Sequence, residues 1–267
     1  MDLETESLST LLASVRAATA LPFKSPFGNL APDSFVAVSG PSGSGKSRLC
    51  RDLIASCLLN GKAAVLFDTD ATFDVANFSE ELADKHSRHL DLLRNLHIFS
   101  PILSTAQLAV SIRALPRYQT KKIRLEIGLV VVDSASSFYW PDRFANAPAD
   151  SSLHNVFAAL GQIRAAVIVT NWGLAFAETS GDDHPSYKQH LPVFPVLPEV
   201  GASHHAPSDP SMLPHLTHHV LLYASPTPAS QENTTLTPIP SSHEVIGVVR
   251  KAGSQVATFV VEHPKQR

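Results

Sequence analysis

The sequence predicts an α/β protein built on a mostly parallel, doubly wound sheet that ends in C-terminal antiparallel strands. Three observations predict it. Short apolar runs of strand length, Ser34–Ser39, Ala63–Phe67, Ile127–Val132 and Ala166–Val169, alternate with stretches whose apolar residues recur at helical spacing. The first run leads into a glycine-rich turn, Gly40-Pro41-Ser42-Gly43-Ser44-Gly45-Lys46-Ser47, and the turn leads into a helix. Two runs end in acids, at Asp68-Thr69-Asp70 and at Asp133, and the C-terminal ends of parallel strands are where ligand crevices open.

At 267 residues and 44% hydrophobic content the chain has ample material for a packed core. Its 21 Lys and Arg against 24 Asp and Glu give a net charge of −3, so its overall field does not attract nucleic acid. A DNA contact therefore needs a local basic patch or a basic partner. No apolar run approaches the ~18 to 20 residues of a membrane-spanning helix, so no membrane partner is expected. Asp2, Glu4 and Glu6 argue against a secretory or mitochondrial leader, which leaves the cytosol or nucleus. Cys50 and Cys57 fall on one predicted helix at a Cα spacing of roughly 10 Å, too far for a disulfide. They are expected to be reduced core residues.

In chain order, residues 1–29 are expected to form a helix and linker. Leu8, Leu11, Leu12 and Val15 share one stripe, which docks either on the chain's own core or on a neighbouring subunit. The core is expected over 30–267. After the glycine turn, Leu49, Cys50, Leu53, Ile54, Cys57 and Leu58 keep helical spacing until Asn60-Gly61. The pattern G-x-x-x-x-G-K-S between strand and helix is that of a phosphate-binding P-loop. Its backbone N–H groups and Lys46 would face phosphates, and Ser47 would ligate Mg²⁺. Asp70 is a candidate to orient an attacking water, or else part of an acidic turn capping the helix near Asp74.

Residues 74–94 read as mostly helical with Leu82, Leu90 and Leu93 inward, followed by a short strand Leu96–Phe99. Ser104-x-x-Gln107 opens a helix that Pro116 is expected to close. Lys121, Lys122 and Arg124 then form a basic cluster that either touches a phosphate backbone or is simply solvated. Ile127–Val132 ending in Asp133 has the form of a Walker B strand, whose acid serves Mg²⁺, about ninety residues after the P-loop. A helical stripe through Leu153, Val156, Phe157, Leu160 and Ile163 precedes the strand Ala166–Asn171.

Beyond it, seven prolines and four of thirteen histidines between Gly181 and Pro214 predict a long mobile loop over 173–214. His204-His205, His215 and His218-His219 lack the Cys or acid partners of a metal site. Val220–Ala224, Glu244–Val249 and Ala257–Val261 are expected as an antiparallel set extending the sheet.

Phe67-Asp-Thr-Asp70-Ala-Thr-Phe73-Asp74, together with Asp133-Ser-Ala-Ser-Ser-Phe138-Tyr139-Trp140-Pro-Asp142-Arg143, resembles a branch of the RecA-like recombinases. The similarity, over about residues 30–262, is to the recombinase paralogues of the X-ray-repair cross-complementing type, the short form with the ATPase core only. The resemblance implies that Gly40 to Ser47 bind ATP, that Asp133 serves Mg²⁺, and that Asp70 stands where active recombinases carry a catalytic glutamate. It also implies a nuclear subunit of a paralogue complex, acting in homologous recombination on single-stranded or branched DNA. The chain's departures from the family pattern limit the expected turnover to at most a slow DNA-stimulated ATPase.

Three departures accompany it. Aspartate is a methylene shorter than glutamate. Trp172 follows Thr170-Asn171 where active recombinases usually carry Gln. Lys188 is the only Lys or Arg between Gly181 and Pro214. Phe138, Tyr139 and Trp140 are either a partner surface or packing beneath the next helix. The rival readings are a P-loop small-molecule phosphotransferase and a purely structural subunit without turnover.

Overall fold

The computed structural model describes residues 21–22, 29–32, 34–138, 141, 144, 149–172, 217–224, 245–251 and 254–261. The helix expected within residues 5–19 and the loop over 173–214 lie outside the described residues. So do His215, Tyr139, Trp140, Asp142 and Arg143.

In chain order the elements are β1 (Leu21–Pro22), β2 (Asn29–Leu30), β3 (Phe35–Gly40), α1 (Lys46–Leu59), β4 (Ala63–Asp68), α2 (Val75–Ala83), α3 (His89–Leu93), β5 (Leu96–Phe99), α4 (Thr105–Lys122), β6 (Ile127–Asp133), α5 (Ala149–Leu160), β7 (Ala166–Trp172), β8 (His218–Ala224), β9 (Val245–Lys251) and β10 (Ser254–Val261). From β3 to β10 the strands form one eight-stranded sheet in the order β10-β9-β8-β3-β7-β6-β4-β5. Neighbours from β8 to β5 pair parallel. β9 and β10 add antiparallel pairings at the other edge. One expectation is corrected here: β8 is antiparallel to β9 but parallel to β3, so it belongs to the parallel core as well as to the C-terminal set.

The continuous apolar runs are explained by burial on both faces of this sheet. Along β3, Val36 and Val38 join Leu49, Leu53, Ile54 and Leu58 of α1 on one side. Phe35 and Ala37 join Leu108 and Ile112 of α4 and Val156 and Phe157 of α5 on the other. The alternation repeats in β4, where Ala64 and Leu66 face one layer and Val65 and Phe67 the other. A parallel strand with helices over both faces has no solvent side, so its run is apolar until the C-terminal end, where Ser39, Asp68, Thr170 and Asn171 stand.

Two further expectations fail for tertiary reasons. Pro116 does not close α4, which runs on to Lys122. A proline inside a helix costs about 3 kcal/mol. Burying Ile123 beyond the proline, worth roughly 1.5–3 kcal/mol, offsets that cost, since its side chain is inside the core. Tyr118 in the continued segment also meets Phe99 edge-on at 5.2 Å. Leu90, expected inward, is 65% exposed because residues 74–94 form two helices with a break between them, which changes the face that the later residues present.

Cys50 and Cys57 are free and buried in α1, as expected. Burial pushes both thiols up, Cys57 from 9.0 to about 12 against the weaker pull of Lys62. The folded state thus holds the thiol protons more tightly than the unfolded chain. For Cys57 that contribution is full below pH 9 and is lost as pH rises toward 12, at about 1.4 kcal/mol per pH unit, and the Cys50 contribution has the same sign. The urea midpoint is expected to fall above pH 9, and less steeply in Cys57→Ala. Equal slopes in the two proteins would contradict this.

Candidate nucleotide-binding site

β3 ends at Gly40, and residues 41–45 turn the chain into α1. Gly43 and Gly45 sit at φ 76° and 81°, a left-handed region that residues with a Cβ enter at a cost. Gly40 is required for a different reason: a Cβ there would lie 2.5 Å from Ser44 Oγ and 2.7 Å from the Leu222 carbonyl oxygen. Gly45 caps α1 without a side chain, and no acid stands in the first turn. The N–H groups that open this 14-residue helix therefore keep their partial positive charge for a ligand. Ser44 Oγ is buried with no hydrogen-bond partner.

Lys46, only 8% exposed, donates to the carbonyl oxygens of Gly40 at 2.8 Å and Pro41 at 2.7 Å. That engages two of the three N–H donors of an ammonium. Its burial lowers its pKa, and the negative charges of Asp133 and Asp70 work in the opposite direction. The cation is thus held in a partly dry site by acids across the cavity.

Those acids come from the ends of adjacent strands, where Asp68 of β4 is in register with Asp133 of β6. Their side chains do different things. Asp68 is buried and accepts the N–H groups of Thr72 at 3.1 Å and Phe73 at 3.0 Å. It thereby fixes the turn through Ala71, at φ 52°, that leads to α2. Asp74 caps α2 by accepting the Asn77 N–H at 3.0 Å. Asp70, two residues past the end of β4, accepts the Ser137 hydroxyl at 2.5 Å. The two readings of this acidic turn therefore divide among its members: Asp68 and Asp74 hold structure, and Asp70 faces the cavity.

The turns after β4 and β6 are tied together. The Thr69 N–H donates to the Asp133 carbonyl oxygen at 2.9 Å, and the Ser134 N–H to Thr69 Oγ1 at 2.6 Å. The Thr69 hydroxyl donates to the Ser134 carbonyl oxygen at 2.7 Å. From β7, the Thr170 hydroxyl donates to Asp133 Oδ1 at 2.5 Å. The next two residues join the same shell. The Trp172 N–H donates to Ser136 Oγ at 3.1 Å, and Asn171 Nδ2 is buried with no hydrogen-bond partner.

A cavity of about 460 Å³ opens between the loop and the acids. It brings together Ser42, Gly43, Ser44, Gly45, Lys46 and Ser47 on one side with Asp70 and Asp133 on the other. Gly40 and Pro41 stand behind this wall and supply the carbonyls that hold Lys46. Arg48, Arg51, Thr72, Ser134 and Trp172 also line it and were not expected there. The i, i+3 spacing of the two arginines after the motif was the available signal. Arg48 is held by Glu81 at 2.8 Å, a contact with α2 that no local pattern announces.

Phe138 is buried in the layer beneath α4 and α5, so of the two readings of the aromatic stretch it takes the packing one. His218 and His219 lie in β8, an interior strand. Their rings hydrogen-bond Thr217 and Ser39.

The donor set fits a polyphosphate and a hard divalent cation: uncapped helix amides, a buried ammonium and an unpartnered hydroxyl face two carboxylates. Mg²⁺ commonly takes only one or two protein oxygens and keeps waters or phosphates for the rest. Accordingly, no group of three or more His, Cys, Asp or Glu ligands is needed, and none occurs among the described residues. Among those residues, too, no helix is long and apolar enough to cross a membrane.

No protein-family model matches the chain. It is 31% identical over 117 residues to the DNA repair and recombination protein RadB of Methanococcoides burtonii. That stretch is 43% of this chain and 46% of RadB, so the chain spans less than half the length of the curated relative it matches. The strand order, the loop between β3 and α1, and this match together support the RecA-like α/β core that the sequence predicts.

Proposed function

We propose that the chain is an ATP-binding recombinase paralogue, of the X-ray-repair cross-complementing type, that serves homologous recombination in the nucleus. In this reading it is one subunit of a paralogue complex that assists recombinase filament assembly on single-stranded or branched DNA. The observation that carries the nucleotide part is the single cavity joining the uncapped α1 N-terminus and Lys46 to Asp133 and Asp70. The similarity to a protein named for DNA repair and recombination supports the biological setting.

The residues divide the work. The amides and hydroxyls from Ser42 to Ser47 bind and orient phosphate oxygens, and Lys46 brings a fixed positive charge at low reorganisation cost. Ser47 and Asp133 would hold Mg²⁺, with Thr170 fixing the Asp133 carboxylate by its hydrogen bond. Bound Mg²⁺ would neutralise charge on the β- and γ-phosphates. Asp70 is the carboxylate placed to polarise a water, and its shortness makes it a weak one. Turnover is therefore slow, and binding dominates.

The test is co-purification with recombinase paralogues, followed by phosphate release with and without single-stranded DNA. A stable complex with slow, DNA-raised turnover is expected. A chain that joins no recombinase paralogue and leaves recombinase loading unchanged would overturn the reading.

A further inference from the structure

A second cavity, of about 430 Å³, lies at the opposite end of the strands from the P-loop. Asn95 and His97 line it at the start of β5, and β5 pairs with β4 from Ala64 onward. The P-loop cavity opens beyond the other end of β4. A strand of that length separates the two by roughly 17 Å at about 3.3 Å per residue.

Its charge comes from three different places in the chain. Arg94 follows α3, Lys122 ends α4, and Arg124 lies in the turn into β6. The one acid on its wall, Asp91, is already engaged by Arg88 at 3.0 Å and by Arg94 at 3.8 Å. Among the described residues no carboxylate pairs with Lys122 or Arg124. Lys122 is partly explained as a last-turn cation on the α4 dipole. Arg124 lies outside the helix, and that explanation does not reach it. Cations converging in a concave wall focus a positive field far more than the same cations spread over a surface. The rest of the molecule is net acidic, so the pocket is a local exception to the charge balance.

We infer that this pocket is a second phosphate-binding site, separate from the P-loop, that grips the backbone of a nucleic-acid strand. Guanidinium forks match phosphate oxygens bidentately, and three cations suit a dense phosphate charge better than one carboxylate. The volume exceeds what a lone anion needs and leaves room for the sugar or base attached to it. The His97 ring, which meets Tyr118 edge-on at 5.8 Å, gives the wall an aromatic member beside the cations. The choice of nucleic acid as the source of the phosphate rests on the recombination reading. The site itself rests only on its geometry.

The test uses the full chain, or its complex, with a fluorescent single-stranded oligonucleotide titrated over a range of salt, and a MgATP thermal shift on the same sample. Arg124→Glu is expected to weaken oligonucleotide binding at least fivefold and to lower the salt slope by about 1. Arg117→Glu changes the net charge equally on the exposed side of α4 and is expected to weaken binding less than twofold. Equal losses in the two variants, or no oligonucleotide binding by the wild type, overturn the proposal. So does competition by poly-glutamate as strong as by oligonucleotide of equal charge, which would point to an acidic protein segment. Selective loss in Arg124→Glu without any MgATP response would support this pocket while removing the nucleotide reading of the P-loop.

Discussion

Lys46→Ala is expected to abolish the stabilisation that MgATP confers while leaving the ligand-free protein as stable as the wild type. At a ligand concentration a hundredfold above Kd, binding stabilises a fold by about 2.7 kcal/mol. For a chain of this size that corresponds to a Tm rise of roughly 5–10 °C. Removing the ammonium should lower affinity on the order of 10²-fold or more and erase that rise.

The unliganded fold should tolerate the change because the buried charge is itself a burden. Burial lowers the Lys46 pKa, which means the folded state disfavours the protonated form that Asp133 and Asp70 help to retain. The lost hydrogen bonds end on the Gly40 and Pro41 carbonyls behind the cavity wall, and of these two residues Pro41 is itself exposed to water. Lys46→Arg should fail as Lys46→Ala does, since a planar guanidinium cannot reproduce the two bonds that the compact ammonium makes to the Gly40 and Pro41 carbonyls. Differential scanning fluorimetry with and without MgATP decides it. A full MgATP shift in Lys46→Ala would place the nucleotide elsewhere. Repair activity in cells then separates two roles for a folded Lys46→Ala protein: its loss marks nucleotide use as functional, and its retention marks a structural subunit.

How far the sequence reached depended on whether a feature was local. The P-loop, the Asp133 strand and the helix over 46–59 are written in spacing and glycine placement, and the structure has them there. Pro116 misled because its local cost is outweighed by core contacts of Tyr118 and Ile123, which follow it. The turn-holding role of Asp68 went unread for a related reason. Asp68 and Asp70 are two residues apart in one acidic turn, and only the amides of Thr72 and Phe73 show which one the turn consumes. Ser137 lies in the stretch from Asp133 to Arg143, but its hold on Asp70 spans 67 residues of chain. Trp172 was visible as a departure from the usual residue. Its place on the cavity wall depends on where β7 ends between β3 and β6, which is a property of the sheet.

Asp70→Glu is expected to speed ATP hydrolysis by on the order of 10-fold to 10²-fold, with MgATP affinity unchanged. The backbone beneath Asp70 is fixed from both sides, by the Asp68 carboxylate on Thr72 and Phe73 and by the Thr69 bonds to Asp133 and Ser134. With the loop immobilised, side-chain length decides how far the carboxylate reaches. A shortfall of about 1 Å is enough to cost on the order of 10²-fold. Ser137 compounds the shortfall, because its 2.5 Å hydrogen bond draws Asp70 toward the β6 turn and occupies one of its acceptor oxygens. A glutamate would have the extra methylene to extend past that hydroxyl.

Single-turnover phosphate release, with single-stranded DNA and partner subunit present, measures the step without the complication of product release. Asp70→Ala sets the floor and should fall near the wild type, since an aspartate that contributes little leaves little to lose. If Asp70→Glu gains nothing while its MgATP thermal shift matches the wild type, then residue 70 is a turn acid held by Ser137. The cavity would in that case be built to hold a triphosphate and not to cleave it.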